Sequence, residues 1–207
     1  MRTPWVVGIS GASGTPYARS VLRGLLAAGE AVDLVVSRAA RLTMLDETGV
    51  AWRDDPAHVA QWLGEQADLD VRLWPAADLA AGPSSGSYPV RGMIVVPAST
   101  EAVASIALGL SKDLLQRSAA VTLKEGRPLV VVSREMPLAR PTLVHLLALH
   151  DAGAIVAPAS PGFYAGARDA EALADFVAAK VLDAIGIDHQ LMRRWTGQLG
   201  AARAQSD

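Results

Sequence analysis

The stretch that decides the fold is Val6-Val7-Gly8-Ile9-Ser10-Gly11-Ala12-Ser13-Gly14, an apolar run that breaks into small residues. We expect a buried strand at Trp5–Ile9, a tight turn over residues 10–14 and a helix from Pro16 onward. The helix prediction depends on an apolar stripe made by Ala18, Val21, Leu22, Leu25 and Leu26. The stretch therefore predicts a strand, a turn and a helix in succession, the unit from which α/β folds are built.

The turn before this helix predicts an anion site. The backbone N–H groups at a helix start are free and the helix dipole adds positive potential, so a ligand that carries a phosphate is our first hypothesis. However, Gly8, Gly11 and Gly14 do not fit the pattern G-x-G-x-x-G, and no Lys follows as in a Walker A loop. The alternative is that the small residues only let the helix pack close to the sheet.

The composition indicates a single apolar α/β domain over residues 1–207. Hydrophobic residues make up 51% of the chain and charged residues 19%, so we expect much buried surface, including subunit interfaces. The 19 Lys and Arg residues against 21 Asp and Glu residues give a formal charge of −2, without the basic field that nucleic acid requires. Small molecules and copies of the same chain are the expected partners.

The contents of cysteine and histidine limit the chemistry. The chain has no cysteine, which excludes disulfides, thiolate catalysis and Cys-ligated metals. Its four histidines show no metal-ligand spacing, so we expect no metal. Residues 1–4 lead into the first strand without a signal-peptide pattern, and polar residues interrupt the longest apolar region, 143–158. We therefore expect a cytoplasmic protein that does not enter a membrane.

Predicted strands and helices alternate along the rest of the chain. The further predicted strands are 31–36, 71–74, 92–96, 129–132 and 154–157. The further predicted helices are Arg38–Thr48, 56–66, 101–110, 114–123, 141–150 and 169–185. Residues 80–87 predict a loop, with a linker as the alternative, and residues 97–100 predict a turn. This order predicts a three-layer fold with a doubly wound, mostly parallel sheet of the Rossmann-like or flavodoxin-like type.

Polar residues follow the carboxyl ends of several predicted strands. Ser13 and Ser37 follow the first two strands, Ser99 follows the fourth, and Arg134 and Glu135 follow the fifth. Because ligands of open parallel sheets bind outside these strand ends, we expect the five residues at one edge of the sheet. A salt bridge at the rim is an equal alternative for Arg134 and Glu135.

Six short motifs occur in order along the chain. They are Gly11-Ala12-Ser13-Gly14, Ser37-Arg38-Ala39-Ala40, Ser84-Ser85-Gly86-Ser87, Leu123-Lys124-Glu125-Gly126-Arg127-Pro128-Leu129, Arg134-Glu135-Met136-Pro137 and Pro161-Gly162-Phe163-Tyr164. Together they resemble the UbiX/Pad1 family of flavin prenyltransferases over residues 6–195. The resemblance implies a subunit that binds FMN and joins dimethylallyl monophosphate to N5 and C6 of reduced FMN. The product, prenylated FMN, would serve a UbiD-type decarboxylase.

The resemblance also implies how the subunits assemble. It implies a large homo-oligomer, typically a dodecamer, with sites at the subunit interfaces and no metal. We expect the tail, residues 187–207, to pack over a neighbouring subunit, because Trp195 is a large apolar side chain that must be buried somewhere.

The resemblance implies two sets of site residues. FMN would be held by Gly11, Ala12, Ser13, Ser37, Ser99, Thr100, Glu101, Ala102 and Arg117. The prenyl phosphate would be held by Lys124, Arg134, Glu135, Tyr164 and Lys180. The catalytic residues would be Glu135, Ser13, Glu47, Lys124 and Tyr164.

The types of these residues suit the reaction. Breaking the allylic C–O bond develops charge on the phosphate, which Lys124, Lys180 and the Tyr164 hydroxyl can stabilise. Glu135 would act as a general acid or base, giving a proton to the departing phosphate or taking one from C6 of the flavin. Ser13 would orient the N5 region, and Glu47 lies where the family often carries an active-site acid.

The chain departs from the family pattern at several positions. Lys180 stands where many members have Arg, so a bidentate contact to phosphate becomes a point-charge contact. Ala98 and Ala102 replace a common Cys and Thr, and Glu101 is an unusual acid beside a flavin-binding turn. The donor, a monophosphate or a pyrophosphate, stays open.

Two other functions compete with prenyl transfer. One is an FMN-dependent cysteine decarboxylase of the phosphopantothenoylcysteine decarboxylase type, which normally needs an active-site His and Cys, and this chain has no Cys. The other is a non-catalytic FMN-binding module, which would have no use for a second anion site.

Overall fold

The computed structural model describes residues 2–64, 69–163 and 166–195. Within these ranges, strands and α-helices alternate as the sequence predicts, with one short 3-10 helix at Gly82–Ser84. The strands are β1 (Trp5–Ile9), β2 (Val32–Val36), β3 (Val71–Pro75), β4 (Gly92–Ala98), β5 (Leu129–Ser133) and β6 (Ile155–Pro158). The helices are α1 (Thr15–Ala27), α2 (Arg38–Thr48), α3 (Pro56–Leu63), α4 (Thr100–Ala107), α5 (Leu114–Lys124), α6 (Arg140–Asp151) and α7 (Ala170–Ala184).

The described strands form one sheet in the order β3-β2-β1-β4-β5-β6, and every pair is parallel. The fold is therefore the predicted three-layer, doubly wound α/β fold. The order reverses between β1 and β4, where such sheets open a crevice at their carboxyl ends. The inner strands are nearly continuous apolar runs because helices cover both faces of the sheet.

Two hydrophobic cores lie on opposite faces of the sheet. Alternate residues of β1 divide between them, with Val7 in the core shared with α1, α2, α3 and α7, and Val6 in the core shared with α4, α5 and α6. Both side chains are almost completely buried. This alternation fixes the register of the strand and aims its carboxyl end at the site.

Apart from shifts of one residue at other ends, the observed boundaries differ from the predicted ones at three places. The helix predicted to reach Leu110 ends at Ala107, because Leu108, Gly109 and Leu110 turn back to hydrogen-bond the last turn of α4. The helix predicted over 56–66 ends at Leu63, and residues 65 and 66 lie outside the described ranges. The first two residues of the predicted turn over 97–100 belong to β4 instead. This strand has a register shift between Val95 and Ala98.

The Ser-rich loop between β3 and β4 packs along α5. The Arg117 Nε donates to the Ser84 carbonyl at 3.0 Å, and the Arg127 Nη2 donates to the Gly86 carbonyl at 2.9 Å. The predicted loop is present, but these bonds hold it against the domain, so the linker alternative is wrong.

Candidate active site

Ser10 joins β1 to β4 at the point where the strand order reverses. Its Oγ donates to the Pro97 carbonyl at 2.8 Å and accepts from the Ser99 backbone N–H at 2.7 Å. The sequence placed a polar residue after a buried strand, but nothing in it distinguished a ligand contact from a cross-strand link. Because this hydroxyl already donates one hydrogen bond and accepts another within the protein, Ser10 supports the site without facing a ligand.

Ser37 and Ser99 are the N-caps of α2 and α4, as helix-start patterns favour. The Ser37 Oγ accepts from the Ala40 N–H at 3.1 Å, and the Ser99 Oγ accepts from the Ala102 N–H at 3.2 Å. Each hydroxyl acts as an acceptor in its cap, so its own proton is available for a ligand oxygen. These two donors and two helix N-termini at the crevice fit the oxygen-rich chain and phosphate of FMN.

The start of α1 is occupied by a carboxylate of the protein itself. The Gly14 N–H donates to the Glu47 Oε1 at 2.9 Å, and the Thr15 N–H donates to the Glu47 Oε2 at 2.8 Å. Burial raises the pKa of Glu47, but hydrogen bonds from Ser13, Thr15 and Gly14 outweigh it and hold the pKa below its usual value. The prediction that these N–H groups are free for a phosphate is therefore wrong, because α2 ends beside the first turn of α1.

The small residues of the first turn also serve packing. A Cβ at Gly11 would lie 2.5 Å from the Cβ of Ala39 in α2, so any larger residue would push the turn away. Gly14 has a φ of 125°, which side chains rarely adopt. The packing alternative thus holds at these two glycines, while Ser13 between them stays exposed.

A cavity of about 390 Å³ opens at this edge, between the starts of α1 and α7. The Arg134 Nε donates to the Ser13 carbonyl at 3.0 Å, which ties the segment after β5 to the turn after β1. Ser13 and Arg134 therefore come together, as their places after strand ends predict, and Glu47, which only the family resemblance had pointed to, lines the same cavity. The lining is Ser13, Gly14, Pro16, Tyr17, Glu47, Arg134, Pro161, Ala170, Leu173 and Ala174.

Glu135 follows Arg134 at the rim and is exposed. Its Oε1 accepts from the Met136 N–H at 3.0 Å, while Arg134 binds the Ser13 carbonyl. The two side chains thus contact backbone groups, which does not support the salt-bridge alternative. Glu135 keeps one carboxylate oxygen for a ligand, next to Arg134, which lines the cavity.

The side chain of Glu101 connects α4 to α5. Its Oε1 accepts from the Ser105 Oγ at 2.9 Å and from the Gln116 Nε2 at 3.0 Å. Nearby, burial raises the pKa of Asp113, and the charge of Glu101 adds to the effect. Thr100 is exposed at the start of α4, whereas Ala102 is buried. Contacts to FMN at 101 and 102 would therefore come from the backbone.

Lys124 and Glu135 lie at opposite ends of strand β5, Lys124 at the amino end and Glu135 at the carboxyl end. Lys124 ends α5, just before β5 begins, and pairs with the Glu125 carboxylate. Glu135 follows the other end of β5, whose five residues span roughly 16 Å. One copy of the chain therefore does not bring the two predicted phosphate-site residues together.

Lys180 is also distant from the cavity. It lies ten positions after Ala170, which lines the cavity, and this corresponds to roughly 15 Å along α7. Its Nζ lies 3.5 Å from the Asp183 Oδ2, and more than half of its side chain is exposed. Tyr164, the remaining predicted phosphate-site residue, lies outside the described residues.

The segment after α7 is anchored to the helix by Asp183. The Asp183 Oδ1 lies 3.1 Å from the Nε2 of His189 and accepts from the Arg194 Nη1 at 2.5 Å. Burial raises the pKa of Asp183, but the bonds from Arg194 and His189 hold it below its usual value. Trp195 is 58% exposed. Residues 196–207 of the predicted tail lie outside the described ranges.

Two features are absent from the described residues. No group of three or more His, Cys, Asp or Glu side chains among them is placed to hold a metal ion. No helix within the described ranges has the length and apolar character needed to cross a membrane.

Comparison with known proteins identifies the family. The Flavoprotein family matches residues 1–182. The flavin prenyltransferase UbiX of Streptomyces coelicolor is 63% identical, over 97% of this chain and 98% of that protein. The structure of AnUbiX (PadA1) in complex with FMN and dimethylallyl pyrophosphate is 36% identical with a TM-score of 0.84, over 96% of this chain and 100% of that one.

A second solved structure agrees with the first. The dodecameric FMN-dependent UbiX-like decarboxylase from Escherichia coli O157:H7 is 38% identical with a TM-score of 0.83, over 95% of this chain and 100% of that one. Sequence identity and fold thus match over nearly the whole length of the chain. The chain belongs to the UbiX family of flavin prenyltransferases, within the Flavoprotein family.

Proposed function

We propose that this chain is a flavin prenyltransferase, which transfers a dimethylallyl group from dimethylallyl monophosphate to N5 and C6 of reduced FMN. The observation that carries the proposal is the convergence of Ser13, Glu47 and Arg134 on one cavity at the carboxyl edge of the sheet. This convergence occurs in a chain 63% identical to a flavin prenyltransferase. A simple flavin carrier would have no use for a second anion site beside the one that holds the FMN phosphate.

The residues of the crevice would hold FMN by its oxygen atoms. The hydroxyls of Ser37 and Ser99 can each donate one hydrogen bond, and the backbone of residues 11–13 can approach closely because its side chains are small. Arg117 would take part through the nitrogens of its guanidinium that Ser84 does not use. When bound, reduced FMN supplies the electron-rich ring to which the prenyl group is attached.

The cationic residues would act on the phosphate of the donor. As the allylic C–O bond breaks, its electron pair goes to the phosphate oxygen, and Arg134 can stabilise the charge that develops there. Glu135 would give a proton to the departing phosphate or receive the proton lost from C6. Glu47 would hold the turn that carries Ser13, since it fixes the two residues that follow.

Neighbouring copies of the chain would supply the missing phosphate contacts. Lys124 and Lys180 lie far from Arg134 in one copy, so a site that uses all three is formed between subunits. α6 offers a surface for such contacts, because Leu143, Val144 and Leu147 are about half exposed. We propose a dodecamer, the state of the UbiX-like protein from E. coli O157:H7.

The product requires a protein that uses it. Prenylated FMN is a modified cofactor, so we propose that it passes to a UbiD-type decarboxylase in the cytoplasm. The donor preference is part of the same proposal. A monophosphate is the expected donor, and a pyrophosphate is the alternative that the experiment must include.

Mass spectrometry of the released flavin tests the proposal. The purified protein is incubated without oxygen with reduced FMN and either dimethylallyl monophosphate or dimethylallyl pyrophosphate. A mass gain of one C5 unit is expected, and reactions without protein serve as the control. Unmodified FMN with both donors would contradict the proposal. If the donors also failed to bind to the FMN-loaded protein, the chain would be a flavin-binding module.

A further inference from the structure

We propose that a second cavity, between α1 and α3, binds a small molecule that carries a phosphate or a carboxylate. This α1–α3 cavity has a volume of about 460 Å³, within the range of ligand pockets. Among its described lining residues it shares only Pro16 with the candidate active site. Its lining is Thr15, Pro16, Arg19, Thr48, Val50, His58, Gln61 and Trp62.

Helical spacing directs the polar residues toward the same space. Thr15 and Arg19 are four positions apart on α1, so they share one face of that helix. His58 and Gln61 are three positions apart on α3 and share a face in the same way. The cavity thus has a cationic group on one wall and an imidazole and an amide on the other.

The charge of the lining favours an anion. Arg19 and His58 are its ionisable residues among those described, and no carboxylate lines the cavity within the described ranges. The nearest carboxylate along α2 is that of Glu47, and its two oxygens already accept from Gly14 and Thr15. Glu47 itself does not line the α1–α3 cavity.

Arg19 and His58 have unused hydrogen-bonding capacity. The Nε of Arg19 and the Nε2 of His58 are both buried and without a hydrogen-bond partner in the described part of the chain. Buried polar atoms in native proteins almost always have a partner, because leaving one unpaired costs free energy. By contrast Arg23, one turn further along α1, is exposed and pairs with Glu171 at 2.9 Å. The arginine with unused donors is the one that faces the cavity.

Aromatic side chains form part of the α3 wall of the cavity. His58 and Trp62 both pack edge to face against Trp52, with ring centroids 5.4 and 5.6 Å apart. Trp62 is 8% exposed and lines the cavity. A guanidinium opposite a wall that includes the Trp62 ring suits a ligand with an oxyanion at one end and a small carbon skeleton at the other.

Fluorine NMR of the FMN-loaded protein tests this proposal without measuring activity. The tryptophans are labelled as 5-fluorotryptophan, and the Trp62 signal is assigned by Trp62→Phe. Inorganic phosphate and acetate are titrated separately, so the two arms distinguish the two kinds of oxyanion. We expect the Trp62 signal to shift and saturate with at least one of them.

Three variants separate this cavity from the candidate active site. Arg19→Met should weaken the affinity at least about tenfold, because a charge-assisted contact is lost. Arg23→Met removes the same charge from the same helix and should leave the titration unchanged. Arg134→Met should also leave it unchanged, because that residue belongs to the other cavity.

Two results would overturn the proposal. One is a Trp62 signal that does not respond to either anion up to about 10 mM, above the millimolar range of weak specific binding. The other is an equal response in wild type and Arg19→Met. If Arg19→Met does not fold, as judged by its other fluorine signals, His58→Gln replaces it and should weaken the binding in the same way.

Discussion

At the residue scale, Glu47 occupies the helix start where the sequence predicts that an anionic ligand binds. Its carboxylate accepts from two N–H groups at the start of α1. Glu47→Gln loses the charge that these donors favour, so we expect a loss of about 1 kcal/mol in the free energy of unfolding at pH 7. Urea denaturation measures this loss, and Asp46→Asn, an exposed neighbour on α2, is the matched control.

The same carboxylate gives a prediction about pH. The pKa of Glu47 is lowered in the folded state, so its contribution is present above the ordinary value of 4.5 and is lost as the pH falls through the folded pKa. The difference in stability between wild type and Glu47→Gln should therefore be constant near neutral pH and shrink below about 4.5. A difference that stays constant down to pH 3 would show that the charge has no part in it.

Glu135 carries the test of acid or base catalysis. Its carboxylate is exposed and accepts from the Met136 N–H, and the preceding residue, Arg134, lines the cavity. Glu135→Gln keeps the shape but loses the proton-transfer group, so we expect turnover to fall about 100-fold or more. FMN affinity, measured by flavin fluorescence, should not change. Wild-type turnover in this variant would remove Glu135 from the mechanism.

At the scale of elements, the sequence predicted the strands and helices well because they are strongly periodic. The bounds of β1 and α2 match the prediction, since each is marked by an apolar run or a capping serine. The end of α4 was not predictable in the same way. Its sequence stays apolar through Leu110, and only the hydrogen bonds of residues 108–110 show where the helix stops.

The candidate site was predictable only where it depends on topology. Ser13 and Arg134 follow strand ends, so a parallel sheet must bring them to one edge. The position of Glu47 could not be derived in this way, because it depends on how α2 crosses the end of α1. Lys124 and Lys180 came from motif resemblance alone, and a motif does not indicate whether its residues act in the same copy of the chain.

The segment after α7 yields a prediction at this scale. Asp183 binds His189 and Arg194, so Asp183→Asn should weaken the attachment of this segment by about 1 kcal/mol. The population in which the segment is detached should then rise about fivefold. Limited digestion with trypsin, followed by mass spectrometry of the intact protein, should therefore show faster cleavage after Arg194 in Asp183→Asn than in wild type. Asp188 is an exposed residue in the same segment, and trypsin should cut the Asp188→Asn variant at the wild-type rate.

At the scale of the whole molecule, the exposed apolar face of α6 predicts self-association. Leu143 and Leu147 are 51% and 60% exposed, one helical turn apart, and large exposed apolar patches mark interaction surfaces. Replacing both with Ser should shift the assembly to smaller species in light scattering, with the circular dichroism unchanged. Leu79→Ser, an exposed leucine outside this face, is the control. An unchanged mass would place the interface elsewhere.

Mixed assemblies test whether the site is formed between copies. Lys124 and Glu135 lie at opposite ends of strand β5, so a site that needs both must take them from different chains. Lys124→Ala and Glu135→Gln should each be nearly inactive, yet an assembly of both in equal amounts should recover about a quarter of wild-type turnover, because a quarter of its sites pair two intact residues. If both residues acted within one chain, every site would carry a defect. The mixture would then stay as inactive as its components, and the role assigned to Lys124 would have to be withdrawn.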